Sequence, residues 1–155
     1  MEIDFAKQIH LDVPADEAWL LLSDVHRVAA CIPQLSGLQP GPEPGSFLTE
    51  GTDRVGPFRV AMPIELTAAF DDASRRAQAD MSGFHRTSQT RIRGTLSAIC
   101  TSDPTGGTNV SIEALAHISG PVATLGAGPL RRRVEDILAK FAMCVAQAST
   151  QRGPL

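Results

Sequence analysis

A chain of 155 residues fits the roughly 100–200 residues of one domain, and 43% hydrophobic with 20% charged side chains is a globular composition, not a disordered one. A net charge of −3, from fourteen basic and seventeen acidic side chains, argues against nucleic acid as a partner. No apolar run approaches the roughly 18 residues needed to span a bilayer, and Met-Glu-Ile-Asp-Phe lacks the basic and apolar regions of a secretory leader. The expectation is one cytoplasmic domain over residues 1–150, with a disordered tail at 151–155.

From Ile3 to Val13 apolar residues alternate with polar ones, the period of a half-buried strand. Pro14 ends it, Asp16 and Glu17 suit a first helical turn, and Ala18 to Leu22 supply the apolar body of a short helix. Asp24 reads as the cap of a second short helix from Val25 to Cys31, which stops before Ile32-Pro33 because a residue preceding proline is pushed out of helical geometry. Pro40, Gly41, Pro42, Pro44 and Gly45 mark a loop.

Four strands follow. Val60, Met62, Ile64, Leu66, Ala68 and Phe70 share one face; Ala77, Ala79 and Met81 repeat the pattern after the turn Asp71-Asp72-Ala73-Ser74. Ile92, Gly94, Leu96, Ala98 and Cys100 make the next pass, and Val110, Ile112, Ala114, Ala116 and Ile118 the last. This is an antiparallel meander with one apolar and one polar face. Pro63 donates nothing to a ladder and predicts an edge or a bulge.

After Gly120-Pro121, Leu130, Val134, Ile137, Leu138, Phe141 and Val145 recur at spacings of three and four, predicting a long amphipathic helix from Leu130 to about Ala148. A bent antiparallel sheet and one long helix bury both apolar faces when the sheet wraps around the helix. The fold class is therefore α+β, a two-layer helix grip. Its inward residues include many alanines and glycines, which leave either a close sheet–helix approach or a void. We read a void, because an empty apolar cavity costs about 24 cal/mol per Å³ and one that persists is there to be filled. The candidate lining is Met62, Leu66, Met81, Leu96 and Ile112 from the sheet and Leu125, Leu130, Ile137 and Phe141 from the C-terminal segment. Ser88 and Thr90 continue the inward register and are candidates to hydrogen-bond a ligand carbonyl, or to pair with backbone at the rim.

Cys31, Cys100 and Cys144 are widely spaced and form no Cys-x-x-Cys pair, so the reading is three buried free thiols, with no metal and no cofactor. Of the four histidines, His10 and His117 fall on polar strand faces, and His85 sits with Phe84 and Arg86 at an expected hairpin tip without a carboxylate spaced to orient it. No catalytic motif is visible, and no catalytic residue is assigned. Arg131-Arg132-Arg133, beside Leu125 and Leu130, combines basic and apolar character that attracts anionic headgroups; the competing reading is a solvated helix face.

The segments Val13-Pro14-Ala15-Asp16-Glu17-Ala18-Trp19, Asp24 to Pro33 with its Cys31-Ile32-Pro33 end, Val55-Gly56-Pro57-Phe58-Arg59-Val60, and Gly120-Pro121-Val122-Ala123-Thr124-Leu125-Gly126 together resemble the carbon monoxide dehydrogenase CoxG group of the START-like (SRPBCC) superfamily. The resemblance runs from about Met1 to Gln147 and implies a START/Bet v 1-like helix-grip fold whose cavity takes a hydrophobic small molecule. It further implies an accessory role beside molybdenum-containing hydroxylases, at the membrane and with a quinone or lipid as ligand. An alternative within the superfamily is an enzyme of the polyketide cyclase or hydratase type using the same cavity and His85. Two departures stand out: Gly126-Ala127-Gly128-Pro129, which predicts a kink or a new helix start at Pro129, and Met62-Pro63 within a strand.

Overall fold

Strand β1 (Glu2–Leu11) buries Ile3, Ile9 and Leu11 and exposes the even positions between, as its alternation dictates. The computed structural model describes residues 1–150; the tail expected at 151–155 lies outside the described residues. Helix α1 (Ala15–Leu22) follows Pro14 directly and buries Ala15, Ala18, Trp19, Leu21 and Leu22. The carboxylate of Asp24 accepts hydrogen bonds from the N–H groups of His26 and Arg27, at 3.1 and 3.3 Å, and so caps α2 (Val25–Ala30).

The remaining strands are β2 (Leu35–Pro40), β3 (Ser46–Val55), β4 (Phe58–Asp71), β5 (Arg76–His85), β6 (Thr90–Ser102) and β7 (Thr108–Ser119). They form one antiparallel seven-stranded sheet in the order β1-β7-β6-β5-β4-β3-β2. The sequence pattern anticipates the meander β4–β7 but not β2 and β3. The alternate residues of β3 that turn towards the interior include Thr49, Gly51 and Asp53, which write no apolar period, and β2 is broken by a register shift around Gly37, whose φ is +66°. The Pro/Gly-rich loop is the connection between these two strands.

Pro63 sits at a local edge. β4 pairs with β3 along its whole length but with β5 only from Ile64 to Asp71, so β5 has already left β4 at Pro63. The free edge of β1 is covered differently: Arg131 donates to the carbonyl oxygen of Asp4 at 2.8 Å, and Lys7 occupies an inward position, both familiar ways of blunting an edge strand.

After a 3-10 turn at Pro121–Leu125, Gly126 (φ +88°) breaks the chain direction and α3 (Ala127–Thr150) begins. A new start is thus the outcome at the Gly/Pro interruption, two residues earlier than Pro129. Pro129 falls in the first turn, where its missing N–H leaves no bond unmade. No described helix is long and apolar enough to cross a membrane.

Two separate cores hold the layers together. One joins Ile9, Leu11 and Val13, the buried face of α1, Ala77, Ala98, Cys100, Val110 and Ile112 to Phe141 and Val145 of α3. The other joins Ile3, Val60, Met62, Ile64, Ile118 and Val122 to Leu130.

The expectation of three free thiols is corrected. Cys31, at the C-cap of α2, is disulfide-bonded to Cys144 on α3, and only Cys100 is free. Their Cα atoms lie 5.5 Å apart although 113 residues separate them in sequence, a proximity created by α3 packing back onto the α1–α2 end of the sheet. Burial pushes the Cys100 thiol up to about 11, so it is protonated and unreactive at neutral pH.

Candidate functional site

The cross-strand register arranges the inward residues of β7, β6, β5 and β4 in rows. Ile112, Ala98, Ala77 and Phe70 form one row; Ala114, Leu96, Ala79 and Ala68 the next; then Ala116, Gly94, Met81 and Leu66; then Ile118, Ile92, Gly83 and Ile64. The first row feeds one core and the last row the other. The two middle rows are half-buried throughout, and only Leu96 and Met81 touch a core at its margin. On α3, Leu130 belongs to one core and Phe141 to the other, while Val134 and Ile137 between them are half-buried and belong to neither. A band of small side chains on the concave face and a matching stretch of helix are therefore left without packing partners.

The expected lining residues divide accordingly. Met62 and Leu130 are packed into one core, and Ile112 and Phe141 into the other, at 4% exposure or less. Leu66, Met81, Leu96 and Ile137 border the band, and Leu125 lies half-buried against the core of Met62. Ala79, Gly94, Ala114 and Ala116 form its floor, as the small inward residues of the alternation indicate. Phe5 and Val134, absent from the expected lining, also reach it; the signal for both was present, since Phe5 lies on the inward face of β1 and Val134 on the apolar stripe of α3.

The polar pair expected at the rim forms a chain with His85. Ser88 Oγ lies 2.7 Å from His85 Nδ1 and 2.8 Å from Thr90 Oγ1, and the N–H of Ser88 donates to the same Nδ1 at 3.2 Å. His85 pairs with Thr90 across the β5–β6 hairpin, one inward row beyond Gly83 and Ile92, and Thr90 is 1% exposed. The imidazole thus meets a hydroxyl, not a carboxylate, and lacks the orienting acid of a general base. Gly120 abuts this hairpin with φ +105°, and a Cβ there would stand 2.5 Å from Gln89 O, so only glycine fits.

Two of the three arginines proposed for headgroups are engaged within the protein. Arg131 bonds the Asp4 carbonyl and carboxylate, and Arg133 grips Asp53 of β3 through Nε and Nη2 at 2.9 and 2.5 Å, with Asp136 also within 3.2 Å. Arg132 is exposed. Among the described residues, no three His, Cys, Asp or Glu side chains gather to hold a metal ion.

Two open depressions of about 710 and 660 Å³ are walled mainly by outward-facing polar residues of the sheet, Gln78, Ser97 and Glu113 in the first and Asp80, Ser82, Arg93 and His117 in the second. Each also reaches residues of the band: Phe5, Leu96 and Ala114, with Arg131 and Glu135 of α3, in the first, and Met81 and Gly94 in the second. The charged walls do not suit an apolar guest; the unfilled apolar surface is on the concave side.

The family model for the carbon monoxide dehydrogenase component CoxG matches residues 8–149. The chain belongs to this family. Solved structures share its fold at low identity, which shows the architecture alone. A conserved protein from Geobacillus kaustophilus is 11% identical with a TM-score of 0.81, over 97% of this chain and 96% of that one. A START superfamily protein from Mycobacterium smegmatis is 12% identical with a TM-score of 0.71, over 96% and 97%. The Zhui aromatase/cyclase from Streptomyces sp. R1128 is 13% identical with a TM-score of 0.58, over 96% and 92%. No curated protein matches the chain. The CoxG assignment and the START-like helix grip are thus the two things the sequence resemblance implied that the comparisons bear out.

Proposed function

We propose that this CoxG-family protein is a noncatalytic carrier that holds a hydrophobic small molecule, a quinone or another isoprenoid lipid, between its sheet and α3, for a partner oxidoreductase of the molybdenum hydroxylase type. The observation that carries the reading is the division of the interior into two cores with the half-buried band Leu66, Ala79, Met81, Gly94, Leu96, Ala114 and Ala116 between them. Packed interiors leave few voids, and apolar surface exposed inside a concave layer gains about 25 cal/mol per Å² when a guest covers it. Met62, Ile112, Leu125, Leu130 and Phe141 form the ends of the space, Ile137 its helix side, and Ser88 and Thr90 its polar rim. Membrane delivery belongs to the same proposal, with Arg132 as the cation left free for a headgroup. Native mass spectrometry of protein purified from its source, followed by solvent extraction, is the test: a copurifying isoprenoid is the expected result, and an empty protein that also refuses added quinone overturns the carrier. The cyclase or hydratase alternative instead requires turnover that disappears in His85→Ala.

A further inference from the structure

The inward face of β5 forms a lane. Ala79, Met81, Gly83 and His85 occupy successive inward positions, and all four are half-buried, whereas Met62 and Ile64 of β4 and Ile118 of β7 are buried. Beside it on β6, Leu96, Gly94 and Ile92 are half-buried as well. The lane begins in the unpacked band and ends at His85, about 20 Å away at some 3.3 Å per residue. It ends where the sheet opens, since β4 and β5 stay paired only as far as Ile64 and Gly83.

His85 is fixed at that opening in one orientation. Because the N–H of Ser88 donates to Nδ1, Nδ1 is an acceptor and the proton of the neutral ring sits on Nε2. Ser88 Oγ, tied to the buried Thr90, holds the ring from the same side. Among the described residues Nε2 has no hydrogen-bond partner. A built, oriented donor with nothing to donate to, at the end of an apolar lane, matches a molecule with an oxygen acceptor at one end of a long apolar body.

We infer that His85 is the polar anchor of the ligand: its Nε2–H donates to a carbonyl oxygen at the ligand's head, which lies in the gap between β4 and β5, while the apolar tail runs along β5 into the band. This rests on the carrier reading and narrows its ligand to one with a terminal carbonyl, favouring a quinone over a plain hydrocarbon chain. Ser88 and Thr90 are then positioning residues that orient the ring, not contacts of the ligand itself.

The test compares a methylated naphthoquinone with the matching methylnaphthalene, which has the same rings and no carbonyl. Binding to the purified full chain is measured calorimetrically and by quenching of Trp19, the single tryptophan. The native protein is expected to prefer the quinone by about five- to tenfold, the worth of one hydrogen bond. His85→Phe should abolish that preference and leave the hydrocarbon's affinity unchanged; His85→Gln, which keeps an N–H donor, should retain part of it. Ser88→Ala should reduce the preference without abolishing it. A preference that survives His85→Phe, or one missing from the native protein while both probes bind, overturns the anchor and leaves the carrier standing. If neither probe binds the folded native protein, both fall.

Discussion

Arg133 on α3 and Asp53 on β3 meet in a two-point guanidinium–carboxylate contact, with both side chains less than one-third exposed. The hydrogen bond to Asp53 is the main cause that raises the arginine's pKa, so the charge is permanent. With Arg131 held at Asp4 on the far edge strand, the contact pins the start of α3 to both flanks of the curved sheet. Arg133→Ala should lower unfolding stability by about 1–2 kcal/mol, more than an exposed ion pair but discounted for residual solvent. A double-mutant cycle with Asp53→Asn in urea checks it; a coupling energy near zero would mean that the pair is incidental.

The Cys31–Cys144 bond ties α2 to α3 and closes a loop of more than a hundred residues. Reduction, or Cys144→Ser, should lower stability by about 2–4 kcal/mol, read as a lower melting temperature in dithiothreitol than without it. Thiol titration checks the pairing independently. The native protein should show no reactive thiol, since Cys100 is buried and protonated, and the unreduced denatured protein should show one of the three. Three thiols without a reductant would contradict the bond.

What the sequence discloses depends on whether an element writes its environment into a period. β1 and β4–β7 do so, and α3 does so through Leu130, Leu138, Phe141 and Val145. β3 does not, because it turns Thr49, Gly51 and Asp53 inward, and with it the Arg133–Asp53 contact stays hidden. The site is half-legible for a related reason. Ala77 and Ala79 look identical in the alternation, yet Ala77 is packed into a core and Ala79 lies in the unpacked band. The difference is made by which part of α1 and α3 passes over each, and no local pattern encodes that. The disulfide is hidden for the plainest reason, a sequence separation that says nothing of distance.

His10 gives the protein a pH-dependent contact away from the site. Its Nδ1 lies 3.1 Å from Asn109 Oδ1 and 3.3 Å from Asp103, and its Nε2 lies 3.3 Å from Asp12. The Asn109 hydrogen bond, followed by the charges of Asp103 and Asp12, raises the histidine's pKa, while hydrogen bonds from Thr105 lower that of Asp103. A raised histidine contributes stability that is complete below about 6.5, the unfolded value, and is lost as pH rises through the folded value. Asp103 contributes above about 3.9, and its share is lost as pH falls through its depressed folded value. Both are present together between about pH 4 and 6.5. The ring protons of His10 should titrate above the ordinary histidine range by NMR, and His10→Ala should flatten the alkaline side of the stability profile; an unshifted titration removes the effect.

The unpacked band can be tested by filling it. Ala79→Phe and Ala114→Phe each add an aromatic ring to a half-buried position on its floor. In a solid interior such an insertion forces strain that costs about 1–3 kcal/mol. Over open apolar surface the same ring covers neighbours such as Leu66 and Leu96 and leaves stability equal or higher. The expected outcome is an unchanged or raised melting temperature together with at least about tenfold weaker binding of a hydrophobic ligand, because the ring occupies the guest's place. A fall in melting temperature with binding intact would mean that the alanines already touch the helix. The smallest step in the series is Gly94→Ala, whose added Cβ would meet Met81 Cε at 3.5 Å and Leu115 O at 3.6 Å, ordinary contact distances. It should be thermally silent, so any weakening of binding in that variant reports on the space alone.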